Sequence, residues 1–345
     1  MTVGTGGVGK TTVSAALASA AARTGRRAVV VTVDPARRLA DALGVAGELS
    51  SEPTKLAEHS NGGELWGSML DPRVTFDRLV DSHAPDAATA VAMRQNRIYR
   101  NMTNGLSGTQ DYLAIEELYW LAHDDRFDLV VVDTPPSQTA LDIVDAPGRL
   151  TRLFDNRIYQ LLTGRRSGAT RLFSRAAQRF VKMVGAVVGA GIVDDAVEFF
   201  GLFEDLEAGF RDRAAAVGEL LTSDKAMVVL VASPRADTVA SALGLIRALI
   251  TRQLRPDAVV VNLVHPRPDG LATAPSSEAV DRLRKRVESE DKAMAPLIEA
   301  NLGRAIVSIP TLPGDIHDQE GLKHVERHLT TGFPNDMFGL DGAWR

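Results

Sequence analysis

The densest chemistry in this sequence lies near its start, in the run GTGGVGKTT from Gly4 to Thr12. Gly4, Gly9, Lys10 and Thr11 satisfy the spacing G-x-x-x-x-G-K-[ST], in which glycines let successive backbone N–H groups converge on phosphate oxygens. In that pattern Lys10 meets the β- and γ-phosphates, and the Thr11 hydroxyl meets a magnesium ion. The whole run of Gly4, Thr5, Gly6, Gly7, Val8, Gly9, Lys10, Thr11 and Thr12 is expected to line ATP phosphates. The alanine-rich segment that follows stops at Gly25, which predicts a helix whose N-terminus and positive dipole end face the phosphates. A glycine-rich turn without a ligand would not require that helix.

Two carboxylates complete the chemistry. VVVD places Asp133 at the C-terminal tip of an apolar strand, the position from which a carboxylate holds magnesium, commonly through water. Taken alone, an aspartate there reads equally well as the start of a turn or a helix cap. VTVDPARRLADALG repeats the arrangement, ending a strand at Asp34 and entering a helix after Pro35. A carboxylate at Asp34 could orient the water that attacks the γ-phosphate, or accept its proton.

The elements that must position these groups alternate between strands and helices, the signature of a doubly wound, mainly parallel α/β sheet with helices on both faces. Strands are expected at Ala28–Val33, Glu64–Leu70, Asp128–Asp133, Ala226–Ser233, Asp257–Val264 and Ala305–Pro310. Several are continuous apolar runs, as strands covered on both faces require. A central strand of about five or six residues is expected before the phosphate loop. Only Met1, Thr2 and Val3 precede Gly4, so the expectation is a start upstream of Met1. Strand signals vanish between Arg149 and Ser223, which predicts one domain over residues 1–345 carrying a helical insertion at 149–223.

Composition bounds the function. A chain of 345 residues, 45% hydrophobic and 24% charged, can bury a full core. The net charge of −5 argues against a general nucleic-acid binder. With no cysteine, disulfides, thiolate metal sites and thiol nucleophiles are excluded. The apolar run Met183–Val193 is too short to span a bilayer and no signal peptide is visible, so no transmembrane segment is expected and the chain reads as cytoplasmic.

Together these residues resemble the arsenical-pump and tail-anchored-protein-targeting ATPases. The order of segments carries the likeness over nearly the whole chain: the phosphate loop, DPARRLADAL, LDPRVTFDRLV, and DTPPSQTALDIVDAP. The resemblance implies a magnesium-dependent ATPase in which Asp34 is the catalytic carboxylate of the first switch and Asp133 the magnesium contact of the second. It also places Asn262 and the loop Pro310, Thr311, Leu312 and Pro313 against adenine. The family's usual second residue of the loop is a lysine that reaches a partner's phosphates across a dimer, and Thr5 stands there. Three readings follow: a paralogous chain supplies the charge in a heterodimer, Arg37 and Arg38 compensate, or trans-activation is lost from a homodimer. Without cysteine, the thiol metalloid site and the bridging zinc site of relatives are chemically impossible.

The insertion is where a specific function is expected to reside. Phe199, Leu202, Phe203, Leu206 and Phe210 fall on one helical face, and Leu150, Leu153, Phe154, Ile158, Leu161 and Leu162 form a second stripe. Such stripes ordinarily pack against each other or the sheet. The alternative is a groove for a hydrophobic or membrane-associated client protein, assembled across a dimer by ATP. From Arg149 to Lys182 the basic residues Arg149, Arg152, Arg157, Arg165, Arg166, Arg171, Arg175, Arg179 and Lys182 face one acid, Asp155. That charge could hold the chain transiently at an anionic membrane surface, meet an acidic partner, or simply be solvated. Other classes on the same loop are a small-molecule kinase or ligase, an anion-transport subunit, and a scaffold that binds nucleotide without hydrolysing it.

Overall fold

The computed structural model describes residues 1–33, 38–45, 47–103, 110–155, 190–300, 305–312, 314, 316 and 318–333. Eight strands form one sheet in the order β3-β4-β2-β5-β1-β6-β7-β8. They are β1 (Thr2–Gly4), β2 (Arg27–Thr32), β3 (Thr54–Glu58), β4 (Glu64–Met69), β5 (Leu129–Asp133), β6 (Val229–Ala232), β7 (Ala258–Val264) and β8 (Ala305–Pro310). Every neighbouring pair is parallel except β3 with β4. All six expected strands are present. The one that sequence patterning missed is β3, whose TKLAE is polar and mostly exposed because it pairs only at the sheet edge.

Among the described residues the helices are α1 (Lys10–Arg23), α2 (Arg38–Leu43), α3 (Pro72–His83), α4 (Ala87–Gln95), α5 (Arg97–Thr103), α6 (Gln110–Ala122), α7 (Ser137–Phe154), α8 (Ala190–Thr222), α9 (Ala236–Thr251), α10 (Glu278–Glu299) and α11 (Gln319–Gly332). Contacts divide the chain into two compact units, one of 1–70, 121–141 and 220–345, the other of 71–120 and 142–219.

The first unit contains the sheet. On one face Ala28, Val30, Val131, Val229, Val231, Val260 and Val307 join Val13, Ala16 and Ala20 of α1 and Leu322, Val325 and Leu329 of α11 in a single core. Val29, Leu230, Val259 and Val261 on the other face are equally buried, with α9 against β6. Both faces are thus closed, which is why these strands read as unbroken apolar runs. The central strand β1 is three residues long, yet it lies between β5 and β6 and delivers the chain into the phosphate loop.

The second unit is helical. Asp71 caps α3 by accepting from the Arg73 and Val74 N–H groups, with Pro72 in the first turn, and Asp86 caps α4 through Thr89 N–H. Its interior holds Phe76, Leu79, Met93, Leu113, Ile115 and Ile143, and also buries Phe199 and Phe210 from the expected stripe on α8. Leu202 is half-buried. The side chains of Phe203, Leu206, Leu150, Leu153 and Phe154, and the residues Ile158, Leu161 and Leu162, lie outside the described residues. So do the basic residues from Arg157 to Lys182. Of the others, Arg149 pairs with Asp142 at 3.1 Å, and Asp155 pairs with Arg211 at 2.9 Å. No helix among the described residues is long and apolar enough to cross a membrane.

Candidate functional site

The loop between β1 and α1 is shaped by steric necessity. A side chain at Gly4 would collide with the Val231 carbonyl oxygen of the neighbouring strand. One at Gly9, which has φ +87°, would collide with the Asn262 carboxamide. Glycine is the residue that such a close backbone approach and a left-handed φ both admit. Gly6 and Gly7 are exposed, Val8 is buried against the core, and α1 starts at Lys10 with no side-chain cap on its first N–H groups. Those N–H groups and the dipole end make the loop an anion cradle. Lys10 is buried and its Nζ donates to the Thr5 carbonyl at 2.9 Å, so the cation is folded back over its own loop. Thr5 Oγ1 is buried without a hydrogen-bond partner among the described residues. Thr11 and Thr12 lie half-buried in the first turn.

Asp133 ends β5 and is buried. Ser14 Oγ lies 3.2 Å from one of its oxygens and Thr32 Oγ1 lies 3.2 Å from the other. Thr2 Oγ1 is in turn 2.7 Å from Ser14 Oγ. Burial pushes the Asp133 carboxyl above its ordinary range, while hydrogen bonds from Thr11, Thr32 and Ser14 and the Lys10 charge pull the other way. Its hydrogen-bonding partners are hydroxyls, so when ionised the group keeps a full negative charge that is oriented and desolvated.

The structure therefore brings Lys10 and Thr11 of the loop together with Asp133 at the tip of its strand. Asn262, reached through family likeness, joins them: its Nδ2 donates to the Val8 carbonyl at 3.0 Å. Pro310 ends β8, the Thr311 N–H donates to the Val264 carbonyl at 2.8 Å, and Leu312 packs on the core. Asp34, Arg37 and Pro313 lie outside the described residues. Sequence reasoning missed Thr2, Ser14 and Thr32. The signal was present as a hydroxyl four residues after Lys10 on an otherwise alanine face, and as hydroxyls at the inward ends of apolar strands.

A profile of the anion-transporting ATPase family matches residues 1–331. The chain belongs to that family. Among relatives, an uncharacterized protein of Streptomyces coelicolor is 30% identical over 305 residues, 87% of this chain and 70% of that one. ATPase get3 of Sclerotinia sclerotiorum is 22% identical over 341 residues, 98% of this chain and 91% of that one. ATPase ASNA1 homolog 1 of Paramecium tetraurelia is 28% identical over 162 residues. That last match covers 46% of this chain and spans about half the length of the relative, 46%. The chain is accordingly an ATPase of this family, with ATP and magnesium as cofactors. The residues present suit that pair: a cradle of glycine N–H groups, an orphaned buried hydroxyl on Thr5, and an oriented carboxylate beside Thr11.

Proposed function

We propose that the chain is an ATP-driven switch that handles a hydrophobic or membrane-associated client protein, with the loop Gly4–Thr12 holding the phosphates. The observation that carries this reading is the cluster of Lys10, Thr11 and Asp133 at the C-terminal edge of the sheet, where open α/β sheets bind ligands. Magnesium bound there would neutralise phosphate charge as it develops. Lys10 would release the Thr5 carbonyl and swing onto phosphate oxygens. Thr11 would turn its hydroxyl from Asp133 toward the metal, leaving Asp133 to hold metal-bound water, with Ser14 and Thr32 fixing its two oxygens. Asp34 would orient the attacking water. Asn262 and the segment Pro310 to Pro313 would hold the base.

The client reading is supported by the second, helical unit, of which residues 149–219 of the expected insertion supply a large part. It is supported too by the family relatives that bear the ATPase get3 and ASNA1 names. The same reading has the chain working as a dimer, with itself or with a paralogue, in the cytoplasm and transiently at a membrane surface. Thr5 would leave the homodimer slow, because a cation at the γ-phosphate is worth roughly 10³-fold or more in related enzymes.

The test is a paired one. Asp34→Asn should bind ATP but hydrolyse it about 10²-fold more slowly, and the trapped ATP state should co-purify from the native host with proteins bearing an exposed apolar segment. Recovery of no such protein in either nucleotide state would overturn the client reading. Unchanged turnover would remove Asp34 from the mechanism. Thr5→Lys should raise the rate of the chain alone; an unaltered rate would sink the trans-charge account.

A further inference from the structure

The last turn of β7 is irregular where regularity would be expected. Its register against β8 runs evenly to Val261 and Ser308, then shifts, so that Val264 pairs with Pro310. Three steps along one strand meet two along the other, which defines a bulge. Leu263 takes φ +64° and is exposed, while Asn262 and Val264 on either side are buried. The bulge thus aims the Asn262 side chain at the phosphate loop, onto the Val8 carbonyl.

Something must hold that geometry, and the residue after the strand shows what does. Glu290 of α10 is buried, and it grips His265 twice. Its Oε2 accepts the His265 backbone N–H at 3.1 Å, and its Oε1 lies 2.6 Å from ring Nδ1. Arg286, one turn earlier on the same helix, approaches Oε1 at 3.4 Å. Immediately before His265, the Val264 carbonyl accepts the Thr311 N–H at 2.8 Å. One short stretch, Val264–His265, is therefore tied both to a helix and to the proline-bracketed loop. Two segments far apart in sequence are locked to each other there, a few atoms from the Asn262 carboxamide.

We propose that Glu290, acting through His265, is a positioning residue for recognition of the nucleotide base, and that it sets the preference for adenine over guanine. The proposal rests on the reading that Asn262 meets the base. The Val8 carbonyl is an acceptor, so it fixes which end of the carboxamide carries the NH2 group and uses one of its two N–H bonds. The second N–H and the oxygen form a donor–acceptor pair that complements the N7 acceptor and N6 amino donor of adenine. Guanine offers acceptors at both places, N7 and O6, and leaves the carboxamide oxygen opposed to an oxygen. Discrimination of this kind depends on the direction of the carboxamide within tenths of an ångström, and the bulge held by Glu290 sets that direction.

The experiment measures affinity for ATP and GTP by calorimetry, together with kcat at saturating ATP, on the full chain. Glu290→Ala should weaken ATP binding about 5- to 20-fold, leave GTP binding within about 2-fold, and lower kcat by less than it lowers affinity, in keeping with loss of uniform binding. Glu290→Gln can still accept from the backbone N–H and donate to a neutral ring nitrogen, so it should restore most of the ATP preference. His265→Ala removes the ring contact at a half-exposed position and should give an intermediate loss even if Glu290→Ala folds poorly. Asn262→Ala separates the two levels of the reading. If it leaves the ATP to GTP ratio unchanged, the base assignment of Asn262 fails and the proposal falls with it. If Asn262→Ala collapses the ratio while Glu290→Ala and His265→Ala lower only the melting temperature, Glu290 is a structural anchor and the proposal alone is overturned.

Discussion

The phosphate-loop site and the helical unit bury carboxylates in opposite ways, although elsewhere in the sheet unit the buried Glu326 is met by Arg23 at 2.7 Å, as in the helical unit. In the sheet unit Asp133 is met by hydroxyls, Ser14 and Thr32 each at 3.2 Å. Among the described residues of the helical unit each buried glutamate has a guanidinium against it: Glu116 with Arg213 at 2.6 Å, Glu117 with Arg78 at 3.3 Å, and Glu207 with Arg211 at 3.0 Å. A hydroxyl orients a carboxylate without cancelling its charge, so Asp133 retains the capacity to attract a cation. A guanidinium cancels it, and these three glutamates serve as internal ties. Burial alone does not distinguish a site from a strut; the charge state of the partner does.

The largest effect should come from breaking a tie in the helical unit. Arg213 is buried, stacks on Phe210 and also contacts His83 Nε2 at 2.7 Å. Arg213→Met would leave Glu116 buried without its guanidinium, either as an unpaired charge or as a carboxyl that must take up a proton, a change worth up to about 3–5 kcal/mol of stability. The double substitution Glu116→Leu with Arg213→Met removes both charges and should recover most of that loss. Denaturant midpoints for the two variants decide it: equal destabilisation would mean that packing of the arginine stem, not the ion pair, carries the tie.

Asp133→Asn should do the reverse. Removing a desolvated charge that is met by hydroxyls and only the nearby Lys10 charge should leave the folding midpoint unchanged or raise it, while phosphate release falls by about 10²-fold or more, on the order of 3 kcal/mol of barrier. A variant that unfolds easily yet hydrolyses ATP at the normal rate would invert the comparison.

The pH dependence sharpens it. Burial pushes the Glu116 carboxyl up to about 7, against the pull of Arg213. A folded-state pKa above the unfolded value means that the native state binds the extra proton, so stability falls as pH rises from about 4.5 to about 7, by at most about 3 kcal/mol. His83 works in the opposite sense. Burial and the Arg213 charge lower its pKa, so its contribution is present above the ordinary histidine value and is lost as pH falls below it. Glu116→Gln isolates the glutamate: the difference in unfolding free energy between variant and native chain should grow from pH 5 to pH 7.5 in the variant's favour. A flat difference would show that Glu116 titrates as an ordinary carboxylate.

How much of this was legible follows from the range of the interactions. The phosphate loop, the six core strands and Asp133 were readable because each is a local pattern, a spacing or an apolar run ended by a carboxylate. Edge strand β3 was not, since TKLAE gains its partner only when β4 folds beside it. The ties of the helical unit were not either: Arg213 and Glu116 are 97 positions apart, and an arginine on a helix reads as surface until its partner is placed. Asn262 needed the family likeness, because nothing in AVVVNLV announces a bulge. The aromatic stripe on α8 was seen as a period but not as a destination. Phe199 and Phe210 turned out to be core, which is the ordinary fate of such stripes.

The smallest effect concerns strain, and it too divides the units. Among the described residues, the non-glycine positions with positive φ are Gln253 and Leu263, both in the sheet unit. A leucine in the left-handed region costs about 1 kcal/mol, and its side chain, 42% exposed, gains little packing in return. Asparagine tolerates that region through local hydrogen bonding. Leu263→Asn should therefore stabilise the chain by about 0.5–1 kcal/mol, read as a rise in denaturant midpoint with unchanged slope. Because the bulge is held by Glu290 rather than by the leucine, ATP affinity should stay within about 2-fold. A loss of stability would mean that Leu263 is covered by something that makes its burial worth more than the strain. A loss of affinity with stability gained would mean that the strain itself aims Asn262, and that the sheet unit keeps beside its nucleotide a conformational cost that the described residues of the helical unit nowhere carry.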